Sequence, residues 1–214
     1  MPVTFNVHQF ATDSQSMHAP DLPLLPKNAP IPFELAAAHE GELQAFFEAN
    51  PDYFLAVQGA PAGPQAAYDE IHGDLPAGWS YTKKWLIGYR DPANGKLVAF
   101  ASLVSDLLAD TVWHIGLFVV ATELHGSGLA ASMFHSIEAW AKAHGARWLR
   151  LGVVVGNQRA ERFWGRQGFA QVRMRKGVEM GERSNSVRVM VKPLAEHNLS
   201  DYLKLVPRDD PARD

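Results

Sequence analysis

ATELHGSGLAASMF, residues 121–134, joins an apolar run, Val112 to Val120, to a segment whose Leu129, Met133, Phe134, Ile137 and Ala141 share one helical face. That spacing predicts an amphipathic helix from about Gly128 to His144, with Gly145 placed to leave it in a left-handed conformation. The run before it reads as a strand. Between them stand Gly126 and Gly128, and two readings of this bare corner are open. In one, Gly126 turns the chain with positive φ and Gly128 lets helix and sheet approach closely. In the other, the first-turn N–H groups, backed by the helix dipole, are left free to bind an anion.

The flanking chain extends the pattern. Trp148 to Val155 is an apolar run broken only by Arg150 and Gly152, as in a strand buried on both faces. Strand, corner, helix and strand make a βαβ unit. GNQRAERFWGRQGF, residues 156–169, then supplies a second helix, with Asn157 at its start, Ala160, Phe163, Trp164 and Gln167 along one side, and Gly168 at its end. Phe169 to Arg175 and Ser186 to Val191 read as a last antiparallel pair. Upstream, Trp85 to Tyr89 and Lys96 to Val104 flank the turn DPANG, residues 91–95, and form a hairpin. A helix is predicted over Glu34 to Asn50, burying Leu43, Phe46 and Phe47 and stopped by Pro51. Residues 58–82 are loop-rich around a short helical stretch, Pro64 to Ile71. The layout is an α/β domain, a mixed sheet flanked by helices.

Composition narrows the function. A chain of 214 residues with 47% hydrophobic residues can bury one sizeable core. A net charge of -3 offers no basic field for nucleic acid or anionic membranes. There are no cysteines, which removes disulfides, thiolate metal sites and a cysteine nucleophile. The nine histidines show no metal-ligand spacing, so no metal is expected. Met1 to Gln15 does not read as a secretion signal, and no apolar run is long enough to span a membrane; a cytoplasmic protein is expected. Six of the fourteen prolines fall within residues 1–32. Residues 1–30 therefore read as a proline-rich extension, 31–206 as a single domain, and 207–214 as a loose polar tail.

Three phosphate-binding patterns compete for the corner. A Walker loop needs Lys and Ser or Thr after its last glycine, where Leu129 and Ala130 stand. A dinucleotide fingerprint needs glycine at 131 and an acidic residue ending the next strand, where Ala131, Val155 and Gly156 stand. Both fail on residue identity. HGSGLA, residues 125–130, instead resembles the Q/R-x-x-G-x-G/A signature of GCN5-related N-acetyltransferases, the GNAT superfamily, with His125 in place of Gln or Arg. NQRAERFWGRQGF, residues 157–169, resembles that family's N-x-x-A-x-x-F-Y-x-x-x-G-F, with Trp164 in place of Tyr. The resemblance covers about residues 83–192.

The resemblance implies a mixed sheet whose central strands splay so that acetyl-CoA, or another short acyl-CoA, lies in the gap as cosubstrate. On that pattern the backbone at Gly126, Ser127, Gly128, Leu129 and Ala130, beside His125, holds the pyrophosphate. Backbone groups of Phe118 and Val120 pair with pantetheine. Asn157 hydrogen-bonds the cofactor arm or caps its own helix, roles of equal weight for this residue type.

Direct transfer needs a neutral amine, a stabilised oxyanion and a discharged thiolate. His114 is the candidate base, at a strand position where the histone-acetyltransferase branch carries glutamate; ordinary packing beside Trp113 is its alternative, and Asp69, Glu70 and Asp106 are further candidates. Trp164 cannot supply a proton at useful acidity and is expected to be a packing wall. Water, the protonated base or a tyrosine such as Tyr81 is left as the acid. Trp79, Tyr81 and Asp106 are expected to form a pocket for a cationic amine. The implied function is an acetyl-CoA-dependent N-acetyltransferase acting on a small-molecule amine, with a protein amine as the nearest variant and a homodimer left open. The alternative is a non-catalytic CoA-binding or regulatory interaction module with the same fold.

Overall fold

The computed structural model describes residues 22–194 and 196–213. Most of the proline-rich extension, residues 1–21, lies outside the described residues. A seven-stranded sheet has the order β1-β2-β3-β4-β5-β7-β6. Its strands are β1 (Ile31–Glu34), β2 (Lys84–Arg90), β3 (Leu97–Val104), β4 (Val112–Val120), β5 (Trp148–Val154), β6 (Ala170–Met180) and β7 (Arg183–Pro193). Every neighbouring pair is antiparallel except β4 and β5. The α-helices are α1 (Glu40–Ala49), α2 (Asp52–Gln58), α3 (Ala66–His72), α4 (Leu129–Ala143), α5 (Gln158–Arg166) and α6 (Leu199–Leu205).

Both faces of the sheet are covered, and residue parity decides which side chain goes where. Ile87, Tyr89, Ala99, Ala101 and Leu103 pack with Met133, Phe134, Ile137 and Trp140 of α4. Leu86 and Phe100, one residue out of phase, pack with Leu43, Phe46 and Phe47 of α1 and Phe54 of α2. β4 changes phase part-way. Trp113 and Ile115 face α4, yet Leu117 and Val119 face α1 and α2. The register with β3 slips between Ser102 and Leu103, which pair with Leu117 and Ile115, so Gly116 is the extra residue of a β-bulge. One inserted residue reverses the faces of everything after it. His114 and Phe118 therefore lie on opposite sides of the sheet although both numbers are even.

The core strands and α4 follow the sequence reading; the edges depart from it. β1 was not expected, because Pro30 and Pro32 mark a chain that cannot sit inside a sheet; it sits at the edge, where a missing N–H is tolerated. Pro51 ends α1 as expected, but it also caps a further helix, α2. The last hairpin is longer than predicted, since Arg175, Lys176 and Glu179 disguise its solvated half. Its tip docks on α2: Glu182 N–H donates to Gln58 O at 3.1 Å, and Asn185 Nδ2 to Val57 O at 2.8 Å.

The first and last described segments are also held. Leu22 and Leu25 pack against the α4 side of the core, and Ser136 Oγ donates to Leu24 O at 2.5 Å. Residues 207–213, expected to be a loose polar tail, instead form two short 3₁₀ turns with Asp209 only 1% exposed. The physical reason is an ion pair: Asp209 forks onto Arg150, the one charged side chain in the apolar run of β5, at 2.7 and 3.0 Å. Among the described residues, no helix is long and apolar enough to cross a membrane.

Candidate active site

The site begins where two parallel strands part. β4 and β5 pair from Val112 with Trp148 to Ile115 with Leu151 and no further, and the Gly116 bulge stands at the point of divergence. Ala121 N–H donates to Val98 O at 2.9 Å, and antiparallel backbone groups alternate sides. The peptide groups of Phe118 and Val120 therefore turn away from β3, into the gap. A cavity of about 750 Å³ occupies it, with Phe118, Val120, Gly126, Gly128, Asn157 and Trp164 among its walls.

The glycine corner forms one end of this cavity. Gly126 and Gly128 have φ of 82° and 88°, a conformation costly for any side chain bearing a Cβ. A Cβ added to either would meet nothing within 4 Å. Gly128 is thus required by its backbone angle and not by close packing of helix on sheet, the first of the two readings of this corner. Of the five amides expected at the corner, Ser127 N–H and Leu129 N–H already have partners: Leu124 O at 3.3 Å and Ser127 Oγ at 3.2 Å. Ser127 and Leu129 also lie outside the cavity lining, whereas Gly126, Gly128 and Ala130 line it. These three leave their N–H groups without a partner among the described residues. They stand at the N-terminus of the fifteen-residue α4, where the dipole favours an anion. Asn50 fixes the approach, since its Oδ1 accepts from Thr122 N–H at 2.7 Å.

His125, the substituted residue of the signature, braces the corner from within. Its Nε2 donates to Val120 O at 3.0 Å, so Nδ1 must accept, and it receives Arg159 Nη1 at 2.5 Å. Arg159 reaches on to Asp52 at 3.3 Å. This chain ties the corner, α5 and the start of α2 across the cavity, and it sets a guanidinium in the wall. No sequence signal pointed to Arg159, because its partners come from distant segments.

Asn157 Oδ1 accepts from Ala160 N–H at 3.1 Å, so the cap role is realised. The residue also lines the cavity, with its Nδ2 unpartnered among the described residues. Trp164 is 7% exposed, its ring 5.4 Å from those of Phe118 and Phe134, a packed wall as expected.

A second cavity, about 240 Å³, opens on the far side of the splay. It shares Tyr53, Phe118, Asn157, Ala160 and Trp164 with the first and runs on to Trp79, His114, Arg150 and Arg175. Among the shared residues, Tyr53 of α2 carries the only hydroxyl. Burial, then the nearby Glu70 charge, pushes its pKa far above the usual phenol range, so it stays protonated. Tyr53 leaves no signal in the sequence, because the short helix α2 that positions it leaves none either.

His114 reaches the second cavity, but its surroundings differ from those of a base poised near neutrality. Burial and then the Arg150 charge lower its pKa to about 3, against smaller raising effects of a backbone hydrogen bond and Asp209. Arg150 Nη1 lies 3.4 Å from Nδ1, and a guanidinium can only donate, so the ring's own proton sits on Nε2. The expected amine pocket is likewise rearranged. Trp79 is in the wall, but guanidinium groups and not carboxylates face its ring, Arg150 at 5.4 Å and Arg208 at 5.1 Å. Tyr81 and Asp106 line neither cavity. Asp106, at φ 53°, accepts from Thr111 N–H at 2.8 Å and closes its own loop. Among the described residues, no three His, Asp or Glu side chains gather to hold a metal ion.

The Acetyltransferase (GNAT) family pattern matches residues 43–169, more than half of the chain. The chain belongs to the GNAT family. Uncharacterized N-acetyltransferases of Mycobacterium bovis and Mycobacterium tuberculosis are 31% identical over 101 residues, 47% of this chain and 63% of theirs. The chain thus spans less than two thirds of the length of these relatives. An acetyltransferase structure from Thermus thermophilus matches 77% of the chain and 97% of its own at 17% identity, with a TM-score of 0.59. Spermidine N-acetyltransferase from Vibrio cholerae, solved with CoA and spermine, matches 78% and 96% at 13% identity, also at 0.59. At such identities the likeness establishes the GNAT fold alone.

Proposed function

We propose that this GNAT member is an acetyl-CoA-dependent N-acetyltransferase that transfers the acetyl group directly to a small-molecule amine. The observation that carries this reading is the meeting of two cavities at the β4–β5 splay. One runs from the glycine corner and the other from the opposite mouth, and Tyr53, Phe118, Asn157, Ala160 and Trp164 belong to both. A thioester delivered through the first and an amine through the second would meet at this shared wall.

The free N–H groups of Gly126, Gly128 and Ala130 hold the pyrophosphate, with Arg159 as a nearby positive charge. The gap-facing peptides of Phe118 and Val120 pair with the pantetheine arm and polarise the thioester carbonyl. Val120 does so through its N–H, since its carbonyl is taken by His125. The neutral amine attacks the carbonyl carbon, a C–N bond forms and the C–S bond breaks. Tyr53 donates its hydroxyl proton toward the departing sulfur and recovers a proton from solvent, and the amine's excess proton leaves to water. Tyr53 thereby takes the part that Trp164 cannot. His114, neutral and protonated on Nε2, acts as a donor and not as the base.

Acetyl-CoA should raise the thermal midpoint, since a ligand bound only by the native state stabilises it. Thiol release should then appear with an amine panel. Firm acetyl-CoA binding with no turnover on any amine or peptide would favour the non-catalytic module instead.

A further inference from the structure

The far end of the second cavity carries a charge that acetyl transfer itself does not require. Arg150 and Arg175 line it, and no acidic side chain does. Arg208 adds a third guanidinium over the Trp79 ring, and the charge of Arg173 is also felt at Arg175. Among the described residues, the carboxylate seen within the group is Asp209, already engaged on both oxygens: Oδ1 by Arg150 Nη2 at 3.0 Å, and Oδ2 by Arg150 Nε at 2.7 Å and by the Tyr202 hydroxyl at 2.5 Å. Arg173 donates to Arg208 O. The Arg175 side chain, which lines the cavity from β6, has no hydrogen bond or ion pair among the described residues. Burial, followed by the charges of Arg208, Arg150 and Arg173, lowers its pKa, opposed only by Asp209. The local field is therefore positive and incompletely balanced.

The rest of the wall is apolar, with Val178, Met180, Val187 and Val189 from the last hairpin. At about 240 Å³ the cavity is smaller than the roughly 300–1,000 Å³ of drug-sized sites, and suits a molecule of amino-acid size. We propose that the acceptor is a small amine that also bears a carboxylate on an apolar frame, and that Arg175 binds that carboxylate, with Trp79 and Arg208 closing the same end. The inference rests on reading the second cavity as the acceptor side. A planar guanidinium fork matches a carboxylate in two parallel hydrogen bonds, which fixes the amine's direction as well as its affinity. His114 Nε2–H is a further donor in the same wall. A polyamine or other carboxylate-free cation would meet like charge here.

The test uses matched acceptors, each amino acid beside the amine that lacks only its carboxylate, at saturating acetyl-CoA. Wild type should favour the carboxylate-bearing member at least tenfold in kcat/KM. Arg175→Gln should raise its KM about tenfold or more with kcat and the acetyl-CoA KM nearly unchanged, the loss of one charged hydrogen-bond partner. The same variant should erase the preference within each pair, and Arg175→Lys should restore part of it. A preference for the carboxylate-free member, for a phosphorylated amine, or an unchanged preference in Arg175→Gln overturns the assignment. Calorimetric titration of the N-acetylated products into CoA-loaded protein supplies a readout independent of turnover. If neither product class binds while acetyl-CoA still raises the thermal midpoint, the acceptor inference fails and the CoA reading stands. If acetyl-CoA gives no shift, the proposed function itself fails.

Discussion

Arg150 touches His114 and Asp209 with one guanidinium, donating to the histidine's Nδ1 at 3.4 Å while forking onto the carboxylate. Burial first, and then this guanidinium charge, hold the histidine neutral. Its folded pKa, about 3, lies below the unfolded reference near 6.5, so between these values the unfolded chain binds more protons. Stability should therefore rise with pH across that window, and His114 should add nothing further above it. Denaturant titrations at stepped pH should show a shallower slope between about pH 3 and 6.5 in His114→Asn than in wild type. An equal slope in both would place the His114 pKa elsewhere. For activity, kcat/KM should show no His114 limb near neutrality; a limb near 6.5 that vanishes in the variant would restore the histidine as base.

Asp209 anchors the C-terminal turns to β5. Burial raises its pKa, but hydrogen bonding and charge from Arg150, with Tyr202, more than offset this and leave it below the usual carboxylate range. Asp209→Ala strands a buried guanidinium and should cost about 3–5 kcal/mol in chemical denaturation. A loss below about 1 kcal/mol, the size typical of an exposed pair, would mean that the pair is open to solvent.

Tyr53→Phe removes the one hydroxyl shared by the two cavities. If Tyr53 protonates the thiolate, kcat should fall by about a hundredfold or more while the acetyl-CoA KM holds. Trp164→Phe keeps an aromatic wall and should change kcat only a few-fold. The reverse ranking would return the acid question to α5.

What the chain disclosed in advance, and what it concealed, follows from sequence distance. β4, α4 and β5 are legible because each carries its own period, and the glycine corner because Gly126 and Gly128 mark a backbone angle that neighbours cannot alter. The charged contacts of the site are not local. Arg150 meets Asp209 across 59 positions and Arg159 meets His125 across 34, so neither pair leaves a periodic trace. One clue was visible: an arginine inside the apolar run of β5 requires a buried partner. The Gly116 bulge hid as well, because a strand that changes faces midway still reads as an apolar run. It is this bulge that separates His114 from Phe118.

Acetyl-CoA affinity of the glycine variants bears on the account most directly. Gly126→Ala and Gly128→Ala place a Cβ in space that is open in the free protein, so their stability cost should be that of the backbone alone, about 1–2 kcal/mol each. Their cost in binding should be larger, because the pyrophosphate of the cosubstrate would occupy that space. Isothermal titration of acetyl-CoA should give one saturable site in wild type, and an affinity at least tenfold weaker in either folded variant. Wild-type affinity in both variants, or no binding to the wild-type protein, would contradict the assignment of this corner to the cosubstrate.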